Sequence, residues 1–371
     1  MINRFLQPQI EQKLGSGKAI FIIGPRQVGK TTLALELLKS YDYLHLDCDD
    51  PTTRRVLTNP NTEQLKNLIG HKPFVFIDEA QRIDNIGITL KIITDQIKST
   101  QLLVSGSSAF ELNNKTNESL TGRKWTYHLF PIAWQEYEQF AGFLKSEQTL
   151  PIRLVYGFYP DIINNPSDET ELLKNLTNSY LFKDILTYSG IRKPEILEKL
   201  LRALAFQVGH EVSYNELSQL LKIDTKTVIS YIDLLEQSYV VFRLGSFSRN
   251  LRNEIKTNQK IYFYDNGVRN AVIGNFSPLE VRQDVGALWE NFLMAERLKL
   301  NTYKQSTAGM YFWRTVRQQE IDYVEEDRGE ISAYEFKWNS NAKMKTHKIF
   351  NETYKAQQYK ITRENFRDFV I

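Results

Sequence analysis

The chain has 371 residues, 47 basic and 44 acidic, with a formal net charge of +3 and one cysteine, Cys48. That length supports two or three domains with separate cores, and the near balance of charge excludes a polyanion-binding surface over the whole chain, so any nucleic-acid contact is local. A single thiol excludes an internal disulfide and a cysteine-built zinc site; with no signal-peptide core after Met1 and no run of about 20 apolar residues, a cytoplasmic chain outside the membrane is expected.

The apolar run Ala19 to Ile23 reads as a buried strand, and Thr32 to Lys39 reads as a helix. Between them Gly24, Pro25, Arg26, Gln27, Val28, Gly29, Lys30 and Thr31 complete a P-loop, with Thr32 next along the chain. A glycine-flanked loop turns successive backbone N–H groups toward phosphates, and the helix adds its positive end. Lys30 is expected to reach the outer phosphates and Thr31 to place its hydroxyl on Mg²⁺. ATP is the expected nucleotide, since no guanine-reading Asn-Lys-x-Asp is evident near the relevant strand end; GTP stays open.

A second apolar run, Phe74 to Ile77, delivers Asp78 and Glu79 to the sheet's carboxyl edge. Asp78 is expected in the Mg²⁺ shell and Glu79 as the base that polarises water. A third, Gln101 to Val104, breaks into Ser105-Gly-Ser-Ser108. Ser105 is read either as a γ-phosphate sensor or as part of an ordinary Ser/Gly turn. Arg123, ahead of the strand-like Trp125 to Leu129, lies where an arginine can reach a nucleotide, or serve a neighbouring subunit's in trans; a surface pair is its alternative.

After Pro151 the pattern turns helical, with Leu172, Leu173, Leu176, Tyr180, Leu181 and Ile185 on one face, a lid or connector. Helices are then expected over Ile196 to Val208, from a capping box at Ser213 and Glu216, and from Asp224 to Glu236, followed by the strand Tyr239 to Leu244. That order reads as a winged helix-turn-helix whose third helix carries Thr225, Lys226, Thr227 and Ser230. Lys222, Lys226, Arg243, Arg249, Arg252 and Lys256 suit DNA, whereas Glu211, Glu216, Asp224, Asp233 and Glu236 dilute the field, so a packing module is the alternative.

Near the carboxyl terminus a helix carries Glu290, and strands carry Asp322 and then Glu335 and Lys337, the last two on one face by the period of two. Glu290, Asp322 and Glu335 would bind Mg²⁺, with Lys337 positioning water for phosphodiester hydrolysis; structural pairing with Lys337 and Arg314 is the alternative. Glu320 and Glu325 crowd Asp322, and no second lysine is evident nearby. Lys343, Lys345 and Lys348 follow, as a phosphate track or a solvated face.

The P-loop run, Asp78-Glu-Ala-Gln81, Ser105-Gly-Ser-Ser108 and Gly122-Arg123 resemble the AAA+ ATPase domain of a large prokaryotic family. In that family a carboxyl-terminal domain of unknown function, related to restriction-type nucleases, follows. Gly157-Phe-Tyr-Pro160, Tyr262-Phe-Tyr-Asp-Asn-Gly267 and Tyr334-Glu-Phe-Lys337 look like its later landmarks. The resemblance implies an α/β ATPase core, a small helical lid and assembly into rings, hence a homo-oligomer. Glu290, Asp322, Glu335 and Lys337 match the PD-(D/E)XK nuclease pattern. The expected layout is an AAA+ domain over 1–150, a lid over 151–192, a winged helix over 193–275 and an α/β nuclease-like domain over 276–371. Its function is expected to be nucleotide-controlled action on DNA; the alternative is a DNA- or protein-binding scaffold with a silent nuclease-like domain.

Overall fold

The computed structural model describes residues 2–107, 120–181, 194–248, 259–315, 319–344 and 347–371. Ser108, Ile185, Arg249, Arg252, Lys256 and Lys345, named above, lie outside them. The chain divides into two compact units, Met1–Ile132 with Gln237–Tyr239, and Ala133–Glu236 with Val240–Ile371. No helix among the described residues is long and apolar enough to cross a membrane.

The first unit is built on five parallel strands, β1 (Ala19–Ile23), β2 (Tyr43–Asp47), β3 (Phe74–Asp78), β4 (Gln101–Gly106) and β5 (Lys124–His128), in the order β2-β3-β4-β1-β5. Every residue of β1, β3 and β4 is buried. A strand covered on both faces has no reason to alternate, and these three are the continuous apolar runs of the sequence. The outer strands β2 and β5 are only partly buried. Helices α1 (Leu6–Glu11), α2 (Lys30–Leu38), α3 (Pro51–Leu57), α4 (Thr62–Ile69) and α5 (Ile86–Gln96) accompany the sheet. Gly24 must be glycine: a Cβ there would lie 1.9 Å from the Leu129 carbonyl oxygen.

The second unit opens with α6 (Trp134–Ala141) and α7 (Phe143–Tyr156). The boundary expected at 150/151 therefore falls inside a helix. Pro151 suggested a break, but proline removes one N–H and an otherwise packed helix can absorb that loss. α8 (Pro160–Asn164) and α9 (Glu169–Asn175) follow, and Leu173 and Leu176 are buried as their spacing predicts. Next come α10 (Pro194–Phe206), β6 (Glu211–Val212), α11 (Tyr214–Leu221), α12 (Thr225–Gln237), β7 (Val241–Ser246) and β8 (Gln259–Phe263). Ser213 caps α11 through the Glu216 N–H at 3.3 Å, and Asp224 caps α12 through the Thr227 N–H at 2.9 Å.

The remainder is α13 (Asn266–Ile273), α14 (Val285–Tyr303), β9 (Gly309–Arg314), β10 (Glu320–Asp327), β11 (Glu330–Phe336), α15 (Lys348–Tyr354), β12 (Gln357–Ile361) and α16 (Arg367–Val370). One seven-stranded sheet, β12-β11-β10-β9-β7-β8-β6, runs through the unit. β7 pairs in parallel with β9, Gly245 opposite Tyr311 and Ser246 opposite Phe312. The division expected at 275/276 thus has no matching break in the sheet. Val324 and Ala333, cross-strand neighbours, pack with Phe350 on one face; Tyr323, Tyr334 and Phe336 pack on Phe369 on the other.

Two sequence landmarks meet here. The Phe158 N–H donates to Asp265 Oδ2 at 2.7 Å, and a Cβ on Gly157 would lie 2.0 Å from Asp265 Oδ1. A Cβ on Gly267 would lie 2.2 Å from the Tyr156 carbonyl oxygen. These glycines allow backbone to approach a buried carboxylate and a carbonyl.

Candidate active site

β1 and β3 end at the same edge of their sheet with β4 between them, so the P-loop, the acid pair and Ser105 converge. Thr31 Oγ1 donates to Asp78 Oδ2 at 2.7 Å, and Ser105 Oγ donates to Asp78 Oδ1. The Glu79 N–H lies 3.1 Å from both Asp78 Oδ1 and Ser105 Oγ. Lys30, 5% exposed, donates to the Gly24 and Pro25 carbonyls at 3.0 and 2.8 Å. Gly29 (φ 92°) and Gln27 (φ 61°) supply the left-handed turns of the loop, while Val28 is buried and Thr32 exposed.

Glu79 itself sits at φ 51°, a conformation that costs a non-glycine residue about 1–3 kcal/mol and persists only where its surroundings hold it. Its carboxylate accepts from Gln81 Nε2 and from Ser107 Oγ at 3.2 Å, and Gln81 Nε2 also donates to Ser107 Oγ at 2.8 Å. Around the P-loop and the acid pair, two residues escaped the sequence reading. Arg4 donates to the Val28 carbonyl at 2.7 Å and to that of Phe130 at 2.6 Å, tying the loop to the segment after β5. His45 stacks on Phe76 with Nε2 4.0 Å from Asp78 Oδ2. Strand register, with Asp47 opposite Asp78, places His45; no motif marks it. Burial, with Asp47 and Asp78 nearby, pushes the Cys48 thiol up to about 12, which removes it as a nucleophile.

Arg123 is placed differently from the expectation that it reaches its own nucleotide. It precedes the amino end of β5, where its carbonyl accepts from the Ala19 N–H at 2.9 Å, whereas the P-loop leaves the carboxyl end of β1, where Ile23 pairs with His128. About 16 Å of strand separates the two edges. Its guanidinium pairs with Asp95 at 2.8 Å.

The carboxyl-terminal acids are brought near one another by β8, β10, β11 and α14. Glu335 Oε1 lies 2.9 Å from Lys337 Nζ, and Asp322 Oδ2 accepts from the Phe336 N–H at 2.8 Å. Glu290 Oε1 accepts from Tyr262 Oη at 2.6 Å. The expectation that no second lysine stands there is corrected: Lys260 Nζ lies 3.2 Å from Glu290 Oε1 and 2.6 Å from Glu320 Oε1. Glu320 Oε2 also faces Arg314 at 3.6 Å, while Glu325 turns to Arg297 at 2.8 Å.

Electrostatics follow the packing. Burial and then the Glu290 charge push Asp322 up to about 7. Burial opposes the Lys260 ammonium, but Glu290, Asp322 and Glu320 together raise its pKa above the usual lysine value. Burial likewise opposes the Lys337 charge, and Asp322 and Glu335 overcome it.

The expected Mg²⁺ ligands Glu290, Asp322 and Glu335 do not fit a metal. Glu290 is held by a phenol and an ammonium, and Glu335 by Lys337. Among the described residues no three His, Cys, Asp or Glu side chains are grouped to hold an ion. The Thr31 and Asp78 oxygens are the kind of donors a hard divalent ion takes.

On α12, Lys226 and Ser230 are exposed and Thr225 and Thr227 half-buried, and Lys222 precedes the helix exposed. Thr227 Oγ1 is engaged by Asp224 at 2.6 Å, and Arg243 pairs with Asp233 and Glu236. Lys343 and Lys348 are exposed.

Residues 16–138 match the family model of an AAA domain; residues 147–279 and 285–369 match two domains of unknown function, DUF8612 and DUF4143. An uncharacterized protein of Mycobacterium tuberculosis is 26% identical over 337 residues, 90% of this chain and 73% of that one. One of Haemophilus influenzae is 26% identical over 215 residues, 55% and 53% of the two chains. The solved Walker-type ATPase of Pyrococcus abyssi shares the fold, with a TM-score of 0.52 and 13% identity over 73% of this chain and 96% of that one. Residues 16–138 are thus an AAA-type domain, in an α/β fold with a parallel sheet and P-loop ATPase neighbours.

Proposed function

We propose that the chain hydrolyses ATP with Mg²⁺ as cofactor, and that nucleotide state repositions a downstream half that binds DNA. The observation that carries this reading is the meeting of Thr31 Oγ1 and Asp78 Oδ2 at 2.7 Å, with Glu79 next along the chain. Thr31 and Asp78 would hold Mg²⁺, which when bound neutralises charge on the β- and γ-phosphates.

The backbone from Gly24 to Thr32 cradles the phosphates, and Lys30 exchanges two neutral carbonyls for charged phosphate oxygens, which are stronger acceptors. Glu79, oriented by Gln81 and Ser107, takes the proton of the attacking water. Ser105, joined to Asp78, responds to the γ-phosphate. Arg123, remote from its own P-loop, serves the nucleotide of a second copy, which makes the working form a homo-oligomer.

The order α10, β6, α11, α12, β7, β8 supports a winged helix with α12 as the DNA-contacting element. With Arg243 engaged by acids, Lys222 and Lys226 carry the phosphate contacts. α14 with β9 to β12 supports a nuclease-like fold kept as a binding surface.

Steady-state turnover tests the first half of this reading: Lys30→Ala abolishes ATP hydrolysis, and turnover equal to wild type overturns it. Anisotropy with duplex DNA tests the second. Affinity should change with nucleotide and fall as salt rises from about 50 to 200 mM; affinity indifferent to both sinks the DNA reading.

A further inference from the structure

We infer that Tyr239 is the residue through which the state of the P-loop reaches α12 and β7, because its phenol sits on His128 and Phe130, just past the P-loop's neighbouring strand. The inference rests on the reading that nucleotide repositions the downstream half, and it names the contact that does so.

The chain leaves the second unit at Gln237, the last residue of α12, and re-enters it at Val240, one residue before β7. Within the second unit this excursion is pinched at its base. The Val240 N–H donates to the Leu235 carbonyl at 2.9 Å, and the Val240 carbonyl accepts from the Tyr264 N–H at 3.2 Å. Glu236 Oε1 accepts from the Arg243 N–H at 3.0 Å, which ties the start of the excursion to β7.

Within the first unit Tyr239 is seated. Its side chain is buried, its Oη lies 2.7 Å from His128 Nδ1, and its ring meets that of Phe130 edge-on with centroids 6.1 Å apart. Burial lowers the His128 pKa, so a neutral imidazole faces the phenol. Tyr239 takes φ 57°, a left-handed conformation that a bulky residue keeps only where its surroundings hold it.

Two routes join this seat to the P-loop. His128 stands opposite Ile23 in the pairing of β5 with β1, and the Leu129 N–H donates to the Ile23 carbonyl at 2.7 Å. The Leu129 carbonyl then approaches Gly24 where a Cβ would stand. On the other route, the Phe130 carbonyl accepts from Arg4 at 2.6 Å, and Arg4 also donates to the Val28 carbonyl at 2.7 Å. Gly24 opens the P-loop and Val28 lies two residues before Lys30. A loop that closes on phosphates therefore pulls on Leu129 and Phe130, which flank the Tyr239 ring. Packed contacts of this kind switch between discrete arrangements rather than yielding gradually. Tyr239 is two residues past the end of α12, so its seating governs how firmly that end is held.

Hydrogen–deuterium exchange on the full chain, with and without Mg-ATPγS, tests this in wild type, Tyr239→Phe and Tyr239→Ala, with folding checked by near-ultraviolet circular dichroism. In wild type, exchange over residues 225–246 should differ between the two states by about 5-fold or more. That ratio should fall toward one in Tyr239→Ala and lie between in Tyr239→Phe, while residues 24–32 still respond to nucleotide in every variant. A purely structural Tyr239 would lower stability and leave the ratio as it is. If Tyr239→Ala does not fold, Tyr239→Phe decides, since it removes only the hydroxyl; a ratio equal to that of wild type then overturns the inference. A folded Tyr239→Ala with the wild-type ratio overturns it too and leaves nucleotide control of the second unit standing. A wild type that responds over 24–32 and nowhere in the second unit overturns nucleotide control and this inference together.

Discussion

Thr31 and Asp78 stand 47 positions apart in the chain and 2.7 Å apart in space, hydroxyl to carboxylate. The contact exists because β4 lies between β1 and β3, so the P-loop and the acid pair open onto one edge with Ser105 between them. Strand order thus converts two local motifs into one site.

Glu79 is the residue whose loss should separate binding from chemistry. Glu79→Gln keeps the side chain's size and removes the base, so kcat should fall about 10²–10⁴-fold while Mg-ATP affinity changes little. Single-turnover hydrolysis beside equilibrium nucleotide binding measures both; a kcat within a few-fold of wild type contradicts the assignment.

Arg123 should act between copies. ATPase rate per chain should rise with protein concentration, and Arg123→Ala should flatten that dependence. Mixing Arg123→Ala with Lys30→Ala should restore part of the rate, since the second variant still carries the arginine and the first still carries a working P-loop. Mixed activity no higher than the sum of the separate variants argues against a shared site.

Gly157 and Gly274 predict a contrast in stability. Both have positive φ, but a Cβ at Gly157 would meet Asp265 Oδ1 at 2.0 Å, whereas at Gly274 nothing lies within 4 Å. Gly157→Ala should destabilise the second unit by roughly 3 kcal/mol and Gly274→Ala by about 1 kcal/mol. Urea midpoints check the order; equal effects would mean that the close approach to Asp265 is not felt.

Asp322 gives a pH dependence. Burial and Glu290 raise its carboxyl from 3.8 to about 7 in the folded chain. The folded state therefore retains a proton that the unfolded chain releases. The resulting stability is fully present below pH 3.8, declines as pH rises, and is lost above about 7. Asp322→Asn imitates the protonated form and keeps an oxygen for the Phe336 N–H. It should be more stable than wild type at pH 8, and the gain should shrink toward pH 4 in denaturation midpoints. A gain that does not vary with pH would place the cause elsewhere.

The sequence exposed what is local. Lys30, Thr31, Asp78 and Glu79 sit in short motifs flanked by wholly buried strands, and an apolar run with charge at its end is readable without knowing its neighbours. Ser213 and Asp224 cap their helices as their side chains dictate. What stayed hidden depends on long-range pairing. Lys260 looks like one charge at the start of an apolar strand, and only the approach of Glu290, 30 positions later, and Glu320 reveals a centre of charge. Arg243 reads as free basic charge until Asp233 and Glu236 turn toward it. Arg123 could be placed near a strand end, but which edge that end belongs to follows from parallel pairing with β1.

The central claim is that the loop ending in Lys30 and Thr31 and the acid at Asp78 take up Mg-ATP together, and isothermal titration calorimetry addresses it most directly. Wild type should bind ATP more tightly with Mg²⁺ than with a chelator, and Thr31→Ala and Asp78→Asn should each remove most of that difference. Wild type that binds no Mg-ATP, or variants in which the Mg²⁺ dependence persists unchanged, would contradict the account.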